Sequence, residues 1–545
     1  MSIDWDMPTF ENEFTYKGFL ESGREREFDR QFDEAVEKVR KGLLGKRMPM
    51  YIGGKEHYAR EEIMEYSPID KSFIGRFQRG TRVEAALAIE AAYGALGQWQ
   101  QTDYSERVEI FRKAAQLFSK TKFVVAAALS IENGKTRYES IGEIDEAIDF
   151  LNYYSLEMER NKGYVRRTRL EASKKGVSAG FQGAPGKEEK VTIRMRPYGV
   201  FGVIAPFNFP ISISTGMSVG AMITGNTVVF KPSSTDNMAM LSGILIYKTL
   251  KEAGLPDGVF NYVTGPGSEV GEELVTNRKV SGIAFTGSKL TGLSMIAKSY
   301  GLGQQKTFVV EMGGKNPTIV SRYADLDAAV EGVASAAFGY AGQKCSALAR
   351  VYVHESVKSE FTSKLLEKVR SFNIGDPLRK ENYIGPLISS KALDRYKGAV
   401  DEARRSGRII CGGNQVNAAS GGIYVEPTIV EMDHTNKLFY HELFLPFLLI
   451  DTYKDFESAL ERANDTEYGL TAGLYSRKKA EIESFLNGIQ AGTVYINRET
   501  SATTGAIVGL HTFVGWKASG LTGKGTGSRY YLEQFMREQS CSVVR

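Results

Sequence analysis

The stretch GVFGVIAPFNFP, residues 199–210, sets the fold class of this chain. Its first half is an almost continuous apolar run with the length of a buried β-strand, and the run ends at Pro206. Similar apolar runs recur at residues 227–230, 260–263, 283–285 and 308–310, and helical patterns separate most of them. Short apolar strands that alternate with helices predict a parallel sheet covered on both faces, and therefore an α/β fold.

A second β-α series follows Glu311. Its strands are expected at 318–320 and 350–353, with a helix between them at 325–340. Ahead of the first series, helical patterns cover most of residues 83–154, and Gly134 is expected to interrupt them. A chain of 545 residues is too long for one hydrophobic core, so two or three domains are expected.

Between the helical region and the first strand, the sequence predicts a long β-hairpin. Strand-like pieces at 164–170 and 191–197 flank a polar, glycine-containing segment at 176–190. A protruding hairpin often serves as an oligomerisation arm, although a plain surface loop fits the same pattern. Residues 540–544 are also strand-like, so we expect the end of the chain to pair with the hairpin.

The composition is that of an ordinary globular protein, with 42% hydrophobic and 25% charged residues. A net charge of +4, from 69 basic and 65 acidic residues, gives no indication of a nucleic-acid partner or a membrane surface. The sequence has no signal-peptide pattern and no apolar run of about 18 residues, so a cytoplasmic protein is expected. Five scattered histidines lack metal-ligand spacing and three distant cysteines form no disulfide framework, so no metal site is predicted.

Residues suited to ligand binding follow four of the predicted strands. Ligands of open parallel sheets bind beyond the carboxyl ends of the strands, where glycines admit a phosphate and helix N-termini stabilise its charge. The four ends read Pro206-Phe207-Asn208-Phe209-Pro210, Lys231-Pro232-Ser233-Ser234, Gly265-Pro266-Gly267-Ser268 and Thr286-Gly287-Ser288. Gly265-x-Gly267 lacks the third glycine of the dinucleotide fingerprint, and alone it is typical of a tight turn. Together, the four ends predict a dinucleotide site.

Cys345 follows an alanine-rich helical run and a glycine-containing turn, which places a thiol at the end of an element. Most buried cysteines are only small apolar core residues, and most glutamates are exposed or paired in salt bridges. Glu311, however, stands at a strand end upstream of Cys345 and is followed by two glycines. In this pairing Cys345 is the candidate nucleophile, and Glu311 is the candidate base that activates water.

Motifs in consistent order along residues 50–540 resemble those of the aldehyde dehydrogenase superfamily. They are PFNFP (206–210), GNTVVFKP (225–232), FTGS (285–288), EMGGK (311–315), GQKC (342–345), ELF (442–444), NDTEYGL (464–470) and Asn497. The resemblance implies a Rossmann-like cofactor domain at 1–160 and 198–310 and a catalytic domain at 311–500. It further implies an oligomerisation arm at 161–197 and 528–545, a substrate-anchor loop with a return to the cofactor domain at 501–527, and at least a homodimer.

The resemblance also assigns roles. Cys345 is expected to attack the aldehyde, its backbone N–H and the Asn208 side chain to hold the oxyanion, and Glu311 to activate water. Because relatives that pass the acyl group to coenzyme A or reduce acyl phosphates generally lack that base, Glu311 favours hydrolysis to a free acid. The residues expected to bind NAD or NADP are Ala205, Pro206, Phe207, Lys231, Ser233, Ser234, Gly265, Gly267, Phe285, Thr286, Gly287, Ser288, Glu442 and Phe444.

The choice between NAD and NADP is expected to depend on Ser234. Many NAD-preferring relatives carry an acid three residues after the strand-end lysine, where it would repel the 2′-phosphate of NADP. Ser234 occupies that position here, and a hydroxyl group can donate a hydrogen bond to the phosphate. We therefore expect NADP to be accepted and to be a candidate for the preferred cofactor.

Two smaller motifs resemble those of Δ1-pyrroline-5-carboxylate dehydrogenases, which oxidise glutamate γ-semialdehyde to glutamate in proline breakdown. Ser346 directly follows the nucleophile, and residues 497–509 resemble the loop that binds the amino-acid end of the substrate. The residues expected to bind substrate are Ser346, Gly505, Ala506 and Phe513. Val514 and Leu445 replace glycines of that family, so a narrower pocket or a reshaped turn is expected there.

Two alternatives stay open. One is a non-phosphorylating dehydrogenase for another small aldehyde, such as glyceraldehyde or succinic semialdehyde. The other is a catalytically silent binding or structural protein on the same fold. Retention of Cys345, Glu311, Asn208 and Lys231 disfavours the silent protein.

Overall fold

The computed structural model describes residues 10–170, 189–234, 238–417, 421–499 and 507–544. The helices are α1 (Thr15–Glu21), α2 (Glu25–Gly42), α3 (Arg82–Trp99), α4 (Tyr104–Asn133), α5 (Arg137–Arg160), α6 (Ser212–Ile223), α7 (Met240–Glu252), α8 (Glu272–Thr276), α9 (Lys289–Gly301), α10 (Leu326–Phe338), α11 (Lys358–Arg370), α12 (Ser390–Ser406), α13 (Phe456–Asn464) and α14 (Lys479–Gly488). Within the described ranges, no helix is both long enough and apolar enough to span a membrane.

The strands form two large sheets and several small ones. They are β1 (Lys46–Arg47), β2 (Met50–Ile52), β3 (Lys55–His57), β4 (Glu62–Tyr66), β5 (Phe73–Gln78), β6 (Val165–Leu170), β7 (Glu189–Pro197), β8 (Val200–Ile204), β9 (Thr227–Lys231), β10 (Phe260–Tyr262), β11 (Val280–Thr286), β12 (Thr307–Glu311), β13 (Asn316–Val320), β14 (Leu348–His354), β15 (Arg408–Cys411), β16 (Gln415–Val416), β17 (Tyr424–Val425), β18 (Thr428–Glu431), β19 (Phe447–Tyr453), β20 (Tyr468–Gly469), β21 (Thr471–Tyr475), β22 (Thr493–Ile496), β23 (Trp516–Lys517) and β24 (Met536–Val544). Strands and helices alternate through both predicted series, so the predicted α/β fold is confirmed.

The first β-α series builds a seven-stranded sheet with the order β12-β11-β8-β9-β10-β2-β3. Strands β8 to β12 run parallel. Successive residues of β9 are fully buried, as expected for a strand covered on both faces. The register sets Lys231 beside Ile204 and Glu311 beside Thr286. The strand ends that the sequence singled out therefore meet at one edge of this sheet.

The second series builds another seven-stranded sheet, with the order β15-β18-β19-β14-β13-β21-β22. Its neighbouring strands are parallel except β15, which is antiparallel to β18. Strands β13 and β14 are those predicted at 318–320 and 350–353, and α10 lies between them in the chain. The segment that carries Cys345 connects α10 to β14.

The predicted hairpin and its pairing with the end of the chain are confirmed. Strands β6 and β7 pair antiparallel, and β24 pairs with β7 from Met536 opposite Pro197 to Val544 opposite Glu189. Residues 171–188, which include most of the predicted tip, lie outside the described residues. The hairpin joins a three-stranded sheet with the order β24-β7-β6.

The predicted interruption at Gly134 separates α4 from α5. Gly134 has φ of 76°, a left-handed conformation that ends a helix and that glycine adopts without strain. Helix α5 then begins with a capping box, in which the Thr136 hydroxyl and the Glu139 carboxylate satisfy each other's backbone N–H groups. The short turn between the two long helices is buried and includes the charged residue Lys135.

Candidate active site

The turn that carries Cys345 has an unusual backbone. After α10 ends, Tyr340 and Ala341 each have φ of 50°, and Gly342 has φ of 66°. Left-handed conformations at non-glycine residues cost on the order of 1–3 kcal/mol each and persist only where the surroundings impose them. The Tyr340 hydroxyl donates to the Asn133 carbonyl at 2.9 Å, which ties this turn to the end of α4. Residues 339–345 are called the nucleophile turn below.

A pocket of about 450 Å³ opens beside Cys345. Of the predicted site residues, Cys345, Ser346, Glu311, Thr286 and Phe513 line it. They come from three places in the chain: the nucleophile turn and its continuation, the adjacent ends of β11 and β12, and the segment after β22. Gly505 and Ala506, which were expected to bind substrate, lie outside the described residues.

The Glu311 carboxyl group is enclosed between β12 and the C-terminal segment. The N–H of Met312 donates to the Ser519 carbonyl at 2.8 Å, and the Glu311 backbone forms an isolated bridge with Gly520. One carboxyl oxygen, Oε2, is buried and has no hydrogen-bond partner within the part of the chain that the structure describes. Burial raises the pKa of Glu311 well above its usual value, and the Gly515 N–H opposes that shift. A buried carboxyl group with an available oxygen suits general-base chemistry on water.

The Cys345 thiol lies in an environment that disfavours its thiolate. Burial raises the pKa of the thiol to about 12, and the negative charges of Glu442 and Glu311 act in the same direction. The backbone N–H groups of Ser346 and Cys345 oppose this shift but are smaller causes. The thiol is therefore protonated near neutral pH. Because the thiolate is the nucleophile, its attack on a carbonyl group requires that a nearby base accept the proton.

Asn208 lies against the nucleophile turn. Its side chain is buried, and its Nδ2 donates to the Gln343 carbonyl at 3.1 Å, two residues before Cys345. An amide nitrogen carries two N–H donors, so the second can reach a ligand. This arrangement fits the oxyanion role that the resemblance assigns to Asn208.

The expected cofactor residues of the first sheet lie along its carboxyl edge. The Lys231 ammonium is buried and donates to the Pro232 carbonyl at 3.2 Å, and burial lowers the pKa of Lys231 to about 8. A Cβ added to Gly267 would meet open space, whereas one on Gly265 would lie 2.3 Å from the Gly80 carbonyl. Gly267 thus leaves room for a ligand, while Gly265 is required by the fold. Ser288 is the N-cap of α9, and its Oγ accepts from the Thr291 N–H.

The remaining expected cofactor residues come from the second series or adjoin these strand ends. The Phe444 ring lies 5.9 Å from the Phe207 ring, at an interplanar angle of 64°. Glu442 Oε1 accepts from the Gly314 N–H at 3.0 Å, and burial raises the pKa of Glu442 to about 7. The others at or next to the strand ends are Ala205, Pro206, Ser233, Phe285 and Gly287.

The Ser234 hydroxyl is turned into the protein. It is buried and donates to the Pro232 carbonyl at 2.9 Å. Because the hydroxyl donates its proton to a backbone carbonyl, it is not oriented to donate to a 2′-phosphate, contrary to our expectation. Position 234 is still not acidic, so no carboxylate at this position repels the 2′-phosphate of NADP.

Of the two effects expected for Val514 and Leu445, a narrower pocket or a reshaped turn, the structure contradicts the narrower pocket beside Cys345. Val514 packs against Gly492, where an added Cβ would lie 2.7 Å from Val514 Cγ1, and its N–H donates to Thr493 Oγ1 at 3.1 Å. Leu445 is buried in the apolar core around the second sheet. Neither side chain lines the pocket beside Cys345.

A row of acidic side chains on α5 also lines the pocket, and sequence reasoning missed it. Its members are Glu139, Glu143, Asp145, Glu146 and Asp149. Burial raises the pKa of Glu146 and that of Asp149 to about 7. The one available signal in the sequence was the helical spacing of Glu139, Glu143 and Glu146, which places three carboxylates on one face of a buried helix. Such a face is uncommon.

The N-terminal segment covers part of the same wall. The Glu13 N–H donates to Asp149 at 2.9 Å, and the Thr15 N–H donates to Asp145 at 2.7 Å. Glu13 and Phe14 line the pocket. No local pattern predicts these contacts, because each joins residues more than a hundred positions apart.

A cofactor-type strand edge beside a pocket that holds a cysteine and a buried carboxyl group is typical of dinucleotide-dependent enzymes with a thiol nucleophile. Residues 55–541 match the model of the aldehyde dehydrogenase family. The chain belongs to the aldehyde dehydrogenase family.

Three similar proteins illustrate this membership. The chain is 36% identical over 506 residues to 1-pyrroline-5-carboxylate dehydrogenase 1 of Halalkalibacterium halodurans, covering 92% of this chain and 93% of that protein. It is 33% identical, with a TM-score of 0.88, to the structure of 1-pyrroline-5-carboxylate dehydrogenase from Thermus with bound NAD, covering 99% of each chain. It is 30% identical, with a TM-score of 0.82, to the structure of an NADP-dependent enzyme of E. coli, covering 92% of this chain and 99% of that chain.

Proposed function

We propose that this protein oxidises glutamate γ-semialdehyde, the open form of Δ1-pyrroline-5-carboxylate, to glutamate with NAD or NADP. The observation that carries the proposal is the pocket in which Cys345 and Glu311 lie together. The names of the H. halodurans and Thermus relatives support this substrate. In this proposal the first large sheet forms the cofactor domain and the second forms the catalytic domain.

The proposed chemistry has two halves that share Cys345. Its sulfur attacks the aldehyde carbon while the thiol proton passes to solvent water, and the Cys345 N–H and Asn208 Nδ2 stabilise the oxyanion. NAD or NADP, held at the strand ends beside Lys231 and Gly267, would supply the acceptor for the hydride of that carbon, and a thioester would remain on Cys345. Glu311 then takes a proton from water as the water oxygen attacks the thioester, and the acid leaves as the thiol is restored.

The strand ends fit a dinucleotide. Gly267 offers open space next to the carboxyl end of β10, where a phosphate can approach the backbone. Lys231 places a buried ammonium at the end of the neighbouring strand, β9, for a ribose hydroxyl or a phosphate. Helix α9 begins after Ser288 at the same edge, so its N-terminus can stabilise negative charge.

Replacing Ser234 with alanine is expected to change the ratio of kcat/KM for NADP to that for NAD by less than about threefold, which is below the value of one hydrogen bond. The reason is that the Ser234 hydroxyl already donates to the Pro232 carbonyl. Steady-state kinetics of wild type and variant with both cofactors provide the measurement. A tenfold loss confined to NADP would show that the hydroxyl turns toward the 2′-phosphate.

The acidic wall of the pocket favours a substrate that carries an ammonium group. Glutamate γ-semialdehyde has such a group, and Glu146 lies on the wall facing the same pocket as Cys345. Replacing Glu146 with glutamine is expected to raise KM for this substrate about 10- to 100-fold, the value of a charge-assisted hydrogen bond. Because burial raises the pKa of Glu146 to about 7, the difference from wild type should be larger at pH 8 than at pH 6.

Propanal, which has no ammonium group, is the matched control for Glu146→Gln. Its KM should be the same in wild type and variant at both pH values. An equal rise in KM for propanal would mean that the substitution deforms the pocket, and the role of Glu146 in recognising an ammonium would then be wrong.

A panel of aldehydes, run with NAD and with NADP, tests the proposed function as a whole. We expect the highest kcat/KM with pyrroline-5-carboxylate. Good activity with glyceraldehyde or succinic semialdehyde and none with pyrroline-5-carboxylate would favour another small-aldehyde dehydrogenase. No oxidation of any aldehyde by a protein that binds cofactor would favour a silent protein on this fold.

We also propose that the sheet formed by β24, β7 and β6 is an oligomerisation arm and that the protein acts as a cytoplasmic homo-oligomer, at least a dimer. The pairing of the hairpin with the end of the chain supports the first part, because it leaves strands β24 and β6 as the two edges of this small sheet. Light scattering on the purified protein measures the oligomeric state, and a monomer would contradict the proposal.

A further inference from the structure

We propose that Lys135 and Glu143 are positioning residues for the oxyanion hole. Lys135 contacts both of the loops that form it, and Glu143 binds Lys135 and the backbone directly after the first loop. The first loop, residues 206–210, carries Asn208; the second is the nucleophile turn. The inference rests on the proposed roles of Cys345 and Asn208 and adds to them two residues that act through the loops carrying those groups.

Glu143 binds the backbone directly after the loop that carries Asn208. Its Oε1 accepts from the N–H groups of Ile211 and Ser212, at 2.8 and 3.2 Å. These N–H groups lie at the start of α6, where a carboxylate is favoured by the helix dipole. Asn208 is only three residues before Ile211, so the Glu143 carboxylate fixes the point at which its loop enters the helix.

Lys135 joins this carboxylate to the aromatic residues of both loops. Its ammonium is fully buried and forms an ion pair with Glu143 Oε2. The same ammonium lies 3.4 Å from the centroid of the Phe209 ring and 5.1 Å from that of the Tyr340 ring. A cation over a ring face is attracted to it, and the attraction strengthens when water is absent. Phe209 follows Asn208, and Tyr340 lies in the nucleophile turn.

Neighbouring contacts act between the same elements. Lys344, next to Cys345, pairs with Glu139 of α5 at 3.0 Å. The Tyr340 hydroxyl and the Asn208 amide make the bonds to Asn133 and Gln343 already described. The turn between α4 and α5 therefore restrains both sides of the oxyanion hole, including the left-handed residues of the nucleophile turn, which need such restraint.

A role in stability alone does not explain this placement. Buried ion pairs contribute little net stability, because desolvation of the two charges offsets their attraction. What the Lys135–Glu143 pair provides is geometry, and a displacement of about 1 Å in an active site can cost a hundredfold in rate.

The test compares Lys135→Met, Glu143→Gln and the double variant with wild type. We expect each single variant to lower kcat/KM for aldehyde oxidation about 10- to 100-fold. The hydrolysis of p-nitrophenyl acetate without cofactor should fall by a similar factor, because it uses the thiol, the oxyanion hole and Glu311 but needs no hydride transfer. Kd for NAD should stay within about twofold. The double variant should lose little more than the worse single variant, since the two residues act as a unit.

Lys306→Met is the matched control. Lys306 is also buried, and its ammonium donates to the Asn277 and Val280 carbonyls away from the pocket. We expect it to lower Tm with both activities unchanged. The proposal is overturned if folded Lys135→Met keeps both activities within about threefold of wild type. It is also overturned if Lys306→Met has the same Tm as Lys135→Met and loses as much activity as that variant. If Lys135→Met does not fold, Glu143→Gln decides by the same criteria, because its amide oxygen can still accept from Ile211 and Ser212.

Cys345→Ala separates this inference from the proposed function. If Cys345→Ala is inactive while Lys135→Met and Glu143→Gln behave as wild type, the positioning role is wrong and the nucleophile assignment holds. If Cys345→Ala remains active, the proposed function fails, and the positioning role fails with it.

Discussion

Replacing Cys345 with alanine is expected to lower aldehyde oxidation by at least about four orders of magnitude, the scale seen when a covalent nucleophile is removed. Without the sulfur no thioester can form. The measurement is NADH formation with pyrroline-5-carboxylate at saturating cofactor. Binding of NAD, followed by fluorescence, should be unchanged, because the substitution leaves every residue expected to hold the dinucleotide in place.

Cys411→Ala is the matched control for this loss. Cys411 is also a free, partly buried thiol, and burial raises its pKa, but it ends β15 at the opposite edge of the second sheet from β22. We expect Cys411→Ala to retain wild-type kinetics. Residual oxidation above about 1% in Cys345→Ala would mean that another group performs the attack, and the mechanism proposed above would be wrong.

The sequence was most informative where chemistry follows a strand. A parallel sheet brings the carboxyl ends of its strands to one edge, so reading Lys231, Thr286 and Glu311 at strand ends was sufficient to expect them together. The register of β8, β9, β11 and β12 places them along that edge. Cys345 was predictable for a related reason, because the end of α10 and the start of β14 fix the turn between them.

The wall of the pocket was not predictable in the same way. Glu146 belongs to a helix on which spacing marks one acidic face, but its position in the pocket with Cys345 depends on how α5 packs on α6. Glu13 and Phe14 reach the pocket because the Glu13 N–H donates to Asp149 of α5, a residue 136 positions later in the chain. Such long-range packing leaves no period in the local sequence, so composition and spacing could not reveal it.

The direction of a side chain was the other quantity that the sequence left open. Val514 follows Phe513, which lines the pocket, yet Val514 packs on Gly492 behind it. Successive residues of an extended segment point to opposite sides, so the Val514 side chain packs behind the pocket wall and does not narrow the pocket. Ser234 shows the same effect, because its hydroxyl faces the Pro232 carbonyl.

Replacing Glu311 with glutamine is expected to separate the two halves of the reaction. Glutamine cannot take a proton from water, so the thioester should accumulate and steady-state turnover should fall about 10²- to 10⁴-fold. Rapid mixing should still show a burst of about one NADH per Cys345. Glu431→Gln is the matched control, because Glu431 likewise ends a parallel strand but pairs with Arg408 and Lys358. It should turn over like wild type.

Two further measurements make the Glu311 prediction specific. Hydroxylamine, a stronger nucleophile than water, should cleave the thioester and restore much of the turnover in Glu311→Gln. Burial raises the pKa of Glu311, and only its deprotonated form accepts a proton, so wild-type turnover should fall as pH drops through that raised pKa. Hydrolysis in Glu311→Gln should lack this dependence. A variant with neither a burst nor rescue by hydroxylamine would place Glu311 in the first half of the reaction, because loss of hydride transfer itself would then limit the rate.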